Sequence, residues 1–508
     1  MPRHVTALDF VVLAAYFLAT MGIGFYFYRR TRSREGFTAA DRSLPGWATG
    51  LSILATYLSS ISFLALPGKS FATNWNPFVF SLSLPLVTWI AVRWVLPYYR
   101  KSREVSAYSH LEHRFGVWAR LYASVFYLLT QLARIGAVTY LMALPMHVLV
   151  GWDIRWLIVF TGASVTLYSL VGGIVAVIWT DALQAVVLTL GALACLAVAV
   201  FGVPGGPAEV FAVAAAQDKF SLGSFGPSLA DATFWVVLVY GIVINLQNFC
   251  IDQNYIQRYI ASRSDAEARK SVWLGGLLYV PLSALFFMLG TALFAFYSAR
   301  PELLPAEYRA VEKADSVLPY FIAAQLPPGV TGLVVAAIFA AAMSTVSTSL
   351  NSSATILMSD FYERFVGRGT SGRGSMIALY AGTVAWGALG TLIALALIQI
   401  QSALDAWWLL AGIFGGGMLG LFLLGFVSRR VTSPAALVGV VAGIVVILWL
   451  SVSPMWSGSL ARYRSPFHGF LTIVIGTLTI LVVGWLASWF FPPAAQAAAA
   501  PAARRAGG

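Results

Sequence analysis

The sequence predicts an all-α polytopic membrane protein with about thirteen transmembrane helices, and three observations carry that prediction. First, 59% of the 508 residues are hydrophobic and only 10% are charged, with a mean hydropathy of +0.79. A soluble domain carries about 25% charged residues, so this chain could not cover a water-facing surface. Second, apolar runs of about 20 residues, the length of one bilayer crossing, recur along nearly the whole chain. Third, the basic residues cluster on alternate connections between those runs. Together these exclude an ordinary soluble enzyme, a disordered scaffold and a disulfide-stapled secreted protein.

The runs follow in order. The first, 6–28, succeeds one early arginine, is long enough to span, and ends in a basic cluster. It reads as a span rather than a cleavable signal peptide, which would end in small residues. Next come 44–70 and 76–98, then 116–150, whose length leaves room for a water-facing turn. The runs 154–171 and 172–203 are separated only by Gly172–Gly173. After them come 233–258, 272–298, the long run 329–362, 375–400, 401–428, 434–455 and 467–492. The loops 204–232 and 299–328 are acid-bearing and too short for a further domain. Residues 1–492 therefore read as one membrane domain, and the Ala/Pro-rich tail 493–508 reads as disordered.

Orientation follows from counting. With the N-terminus outside and the C-terminus inside, 21 of the 32 Lys and Arg residues fall on inside segments. These include Arg29, Arg30, Arg32, Arg34, Arg100, Arg114, Arg120, Arg258, Arg364, Arg368, Arg504 and Arg505. The positive-inside rule thus accounts for the net charge of +12 without nucleic acid as a partner. Cys195 and Cys250 both lie in apolar runs, which removes a disulfide framework and a thiolate metal site. The five histidines are scattered (His4, His110, His113, His147 and His468), so no catalytic or metal set converges and the chain does not read as an enzyme.

Polar groups inside the apolar runs carry the functional signal. In the second run, the segment from Leu51 to Gly68 contains Ser52, Thr56, Ser59, Ser60 and Ser62 and closes on Pro67–Gly68. Hydroxyls can bond back to their own helix. This density, ended by helix breakers, better fits an unwound helix whose free carbonyls face a cavity. The ninth run repeats the theme from Ala341 to Ser353, and positions 341, 344, 345 and 348 share one helical face. A row of neutral hard oxygens suits Na⁺, and a small-residue packing seam explains the same residues equally well. Asp181 and Arg134 are ionisable groups within spans, each costing about 2.5–3.5 kcal/mol on insertion scales. Each needs a partner, an ion or water, and a mutual Arg–Asp pair is one solution. The seventh run ends Asn245-Leu-Gln-Asn-Phe-Cys-Ile-Asp-Gln-Asn-Tyr-Ile-Gln-Arg-Tyr259, again the pattern of an interrupted helix lining a polar path.

Taken together, Trp179-Thr-Asp-Ala-Leu-Gln184, Asp252-Gln-Asn-Tyr-Ile-Gln-Arg-Tyr259, Ala341 through Asp360 and the amphipathic Ser106–Gly116 resemble the sodium/solute symporter family over nearly the whole chain. The resemblance implies an inverted-repeat transporter fold: an extra first span 6–28, five-helix repeats at 44–203 and 233–428, and two further spans in 434–492. It places a main Na⁺ site on the carbonyls of Ala55, Leu58 and Ala341 and the hydroxyls of Ser344 and Thr345. Within the family the chain is similar to bacterial sodium/sialic acid symporters. That likeness implies a second Na⁺ site at Asp181, Ser344, Ser347 and Thr348, and solute contacts at Ser59, Ser62 and the carboxylate-binding Arg134. Tyr57 replaces a smaller residue, and Asp252 stands where the sugar-carrying branch has an amide. The implied activity is sodium-coupled import of a small organic solute by alternating access, with one or two Na⁺ per cycle. A carboxylate-bearing solute such as sialic acid is expected; a neutral sugar, polyol or amino acid, or a transporter-like sensor, are the alternatives. The expected partners are the anionic solute, sodium ions and the lipid bilayer, with no protein partner evident. The expected location is a bacterial inner membrane.

Overall fold

The computed structural model describes residues 6–27, 33–102, 104–310, 313–366, 372–398, 410 and 413–492. The basic cluster Arg29, Arg30 and Arg32, the residue Arg368, most of the eleventh run before 413, and the tail 493–508 with Arg504 and Arg505 lie outside the described residues. Among the described residues the only non-helical pairing is one isolated bridge, Leu44 to Ser262.

The first helix, α1 (Ala7–Phe27), is followed by a broken pair, α2 (Gly46–Tyr57) and α3 (Ser60–Ala72), bent by 55°. The break has a local cause. Leu58 and Ser59 are extended (φ −86°, ψ 123° and φ −121°, ψ 171°), and the Ser59 hydroxyl restarts the helix by accepting from the Ser62 amide at 3.4 Å. Further along α3, Pro67 has no amide to donate. There the opposing helix comes so close that a Cβ at Gly290 would lie 2.2 Å from the Pro67 carbonyl oxygen.

Then follow α4 (Asn76–Ser102), the short α5 (Ser109–Phe115), α6 (Val117–Val150) and α7 (Ile154–Phe201). The expected fifth and sixth spans are the two halves of α7, divided at Gly173 (φ 51°, ψ −157°). Only glycine relaxes easily there, because φ is positive and Phe37 lies 2.9 Å from where a Cβ would stand. A second broken pair, α8 (Phe234–Ile251) and α9 (Gln253–Ala261), parts at the extended Asp252, whose carboxylate caps α9 through the Asn254 amide at 2.8 Å. The remaining helices are α10 (Asp265–Ala299), α11 (Val330–Ile356), α12 (Gly372–Leu397), α13 (Met418–Val427), α14 (Ser433–Val452) and α15 (Leu471–Ala487). A wider coil, Leu357–Val366, continues α11.

By length and composition, nine of the described helices can cross a membrane, and the bent α2–α3 pair makes ten. Three shorter apolar helices, Ile154–Leu170, Ile413–Val427 and Leu471–Ala487, lie where the other expected spans lie. The hydroxyl-rich α11 is the central post, buried along almost its whole length. Large apolar side chains stay exposed on the periphery, among them Leu18, Phe160, Leu392 and Val445. Such a surface is stable only against lipid.

The inward-assigned charges do more than mark an end. Arg100 bonds Asp265 at 2.7 Å and the carbonyls of Tyr259 (3.0 Å) and Ser262 (2.6 Å). Arg120 bridges Glu112 (3.0 Å) and the fully buried Asp360 (2.5 Å), and Arg364 returns to Glu112 at 2.6 Å. Charge-assisted bonds of this kind tie α4 to α9 and α10, and tie α5 and α6 to the end of α11.

Candidate functional site

The break between α2 and α3 leaves backbone carbonyls without helical partners, and α11 passes beside it. Ser344 Oγ lies 3.2 Å from the Ala55 carbonyl oxygen and 3.1 Å from that of Ala341. Thr345 Oγ1 lies 3.4 Å from the Leu58 carbonyl and 3.1 Å from that of Ala341. All five residues expected to hold the main Na⁺ thus converge in one buried cluster. An ion held by hard oxygens at about 2.4 Å spaces neighbouring ligands about 3.4 Å apart, so the donor set and its spacing fit. The two hydroxyls also bond back along α11 to the Ala341 carbonyl.

Asp181, in the second half of α7, is fully buried but does not pair with Arg134. Its Oδ2 accepts from Ser52 at 2.6 Å, from Arg258 at 2.8 Å and from Thr348 at 3.4 Å. Its Oδ1 is buried with no hydrogen-bond partner. Ser347 donates to the Ser344 carbonyl at 3.1 Å, so the four residues expected around a second Na⁺ are neighbours. An orphaned carboxylate oxygen among hydroxyls is an arrangement that a cation would complete.

Arg134 projects from α6 to the first break, where Nη2 donates to the Thr56 carbonyl at 3.0 Å. It keeps partial exposure, as do Ser62 and Tyr57, while Ser59 is 8% exposed. Partial exposure this deep in the bundle means that these side chains line an opening. The second break faces it. One turn before Arg134, Gln131 accepts from Asn254 at 3.3 Å, and Tyr127 donates to Asn254 at 3.0 Å. Asp252 lies within electrostatic range of Arg134. Tyr57 spans the gap: its hydroxyl accepts from Asn248 at 3.2 Å, and its ring centroid lies 4.5 Å from that of Tyr279 and 5.8 Å from that of Tyr255.

Sequence reasoning missed two members of this site. Arg258 was grouped with the cytoplasmic charges, yet it is fully buried on Asp181. The available signal was Asn254, Gln257 and Arg258 on a nine-residue helix, a polarity that needs internal partners. Asp252 was not considered as a counter-charge for Arg134. His110 bonds the Tyr98 hydroxyl at 2.9 Å, and burial, aided by Arg114 and His113, pushes its pKa down to about 4. Among the described residues no group of His, Cys, Asp and Glu could hold a metal ion in the usual clustered way.

Two facing helix breaks, one supplying hard oxygens and the other a charged wall, define an ion-coupled solute carrier. Residues 37–443 match the model of the sodium:solute symporter family, and the chain belongs to that family. It is 36% identical over 491 residues to the sodium/sialic acid symporter NanT of Aliivibrio fischeri, covering 95% of this chain and 93% of that one. It is 34% identical over 496 residues to the sodium/sialic acid symporter SiaT of Proteus mirabilis, covering 96% of each. A solved, substrate-bound, outward-open Na⁺-coupled sialic acid symporter, reported with a novel Na⁺ site, superposes with a TM-score of 0.89 at 32% identity. That match covers 96% of this chain and 99% of the other.

Proposed function

We propose that this protein is a sodium-coupled symporter that imports a monocarboxylic solute of the sialic acid class by alternating access. Two Na⁺ accompany each solute, one at Ala55, Leu58, Ala341, Ser344 and Thr345, the other at Asp181, Ser344, Ser347 and Thr348. The five-helix repeats 44–203 and 233–428 carry the transport path, the N-terminus lies outside, and the C-terminus lies in the cytoplasm of a bacterial cell. One observation carries the reading: the oxygens of the main Na⁺ cluster and the guanidinium of Arg134 meet at the same helix break, on Ala55 and Thr56. A Na⁺ there raises the local positive charge and favours a carboxylate on Arg134, which grips it with two parallel bonds. Ser59 and Ser62 offer hydroxyls beside it. Ion and solute then stabilise each other's binding, which is the requirement for coupling.

A second reading, a zwitterionic or neutral solute, rests on Asp252, which offers Arg134 a counter-charge within the protein. Thermal shift of the purified protein in Na⁺ separates the two, using N-acetylneuraminic acid and its carboxamide. The acid should stabilise at concentrations at least tenfold lower than the amide, and Arg134→Lys, which keeps the charge but loses the fork, should erase most of that preference. Equal stabilisation of the wild type by both ligands removes Arg134 as a carboxylate receptor.

A further inference from the structure

Arg258 stands on two of the four residues assigned to the second Na⁺. Its Nη2 donates to Asp181 Oδ2 at 2.8 Å and to Thr348 Oγ1 at 2.6 Å. Its Nε donates to Ser52 Oγ at 2.7 Å, and Nη1 donates to the Asn254 carbonyl at 2.5 Å within its own helix. Neither charged side chain has any exposure, so bulk solvent does not screen the pair. Asp181 Oδ1 stays free for a Na⁺, but Nη2 already draws on the same carboxylate and on Thr348 Oγ1, and two cations this close in a buried site repel strongly. The guanidinium is a rigid plane, so any retreat of Nη2 also strains the Nε bond to Ser52 and the Nη1 bond to the Asn254 carbonyl.

We infer that Arg258 is a tethered cation that competes with the second Na⁺ for Asp181 and Thr348, and thereby sets how tightly that ion binds. The inference rests on the two-ion reading above and assigns Arg258 as a positioning residue for coupling. It also gives the contact a mechanical consequence. The pair joins Ser52 on α2 and Arg258 on α9 to Asp181 on α7 and Thr348 on α11. An empty seat pins α2 and α9 to α7 and α11, and an occupied seat weakens the hold of Arg258 on all four.

The test is Na⁺ titration of the purified full chain by isothermal calorimetry, with N-methyl-D-glucamine as the balancing cation. Arg258→Met removes the competitor, and Arg258→Gln, which can keep the Ser52 bond without the charge, stands in if the first fails to fold. Either variant should bind Na⁺ at the Asp181 seat at least tenfold more tightly than the wild type. Adding Asp181→Asn to the same variant should abolish that binding event and leave the main-site event in place. Unchanged or weaker Na⁺ binding in both Arg258 variants overturns the inference, because it makes Arg258 a helper of the ion or a bystander. If the Asp181→Asn addition removes no binding event at all, the second seat does not exist and the two-ion reading falls with it.

Discussion

Ser344 shows how far single residues could be read from the sequence. Its position on one face with Ala341 and Thr345 follows from helical periodicity, and the family resemblance supplied the partners Ala55 and Leu58. The close approach of α11 to the first break, at 3.2 and 3.4 Å, is a tertiary fact that no local pattern contains. Ser344→Ala removes one of five oxygens and leaves the back-bonded helix intact. Na⁺ dependence of uptake should shift to about tenfold higher concentration or more, roughly 1.4 kcal/mol. Uptake with wild-type Na⁺ dependence in this variant would show that the cluster is packing only. Arg258 and Asp181 mark the opposite case, where the residues were visible but their pairing was not. Seventy-seven positions separate them. The sequence offered Arg134 as the partner of Asp181, and only the packing of α9 against α2 and α11 brings Arg258 there instead.

At the scale of elements, both helix breaks were legible because their causes are local. The hydroxyls around Ser59 and the amides flanking Asp252 each give the backbone an alternative to continuous helix, whereas Pro67–Gly68, expected to close the unwound stretch, lie inside α3. The loop helices Gly206–Ala216 and Ala314–Gln325 were less visible, since they lie in segments read as polar connections. The amphipathic α5 carries a prediction of its own. His110 sits on it against Phe422, with ring centroids 5.4 Å apart, and is held neutral with its pKa near 4. Because the folded value is depressed below the ordinary value of 6.5, the unfolded chain binds the extra proton between those limits. This contribution to stability is complete above about pH 6.5 and declines as pH falls toward 4. Replacing His110 with Gln should flatten the fall in melting temperature between pH 6.5 and 4 relative to wild type. Parallel melting curves for the two proteins across that window would remove His110 from the account.

For the whole molecule, the decisive quantity is the charge that crosses per cycle. Each Na⁺ entering across ~100 mV with a roughly tenfold gradient supplies about 3.7 kcal/mol, of which about 2.3 is electrical. A monoanion entering against the same potential gives back about 2.3 kcal/mol. One Na⁺ per solute would therefore leave about 1.4 kcal/mol, a tenfold accumulation that no longer depends on voltage. Two Na⁺ leave about 5 kcal/mol, an accumulation of several thousandfold, and one net positive charge moves inward. The two-ion proposal corresponds to the second case. Uptake of N-acetylneuraminic acid into proteoliposomes should rise severalfold when a potassium gradient with valinomycin makes the interior negative. Asp181→Asn alone would strand the buried Arg258, so the informative variant is Asp181→Asn combined with Arg258→Gln. That protein should still take up the solute with Na⁺, but with a rate and a plateau that no longer respond to the potential. If wild-type uptake is already indifferent to voltage, a single Na⁺ accompanies each anion and Asp181 serves only to hold Arg258.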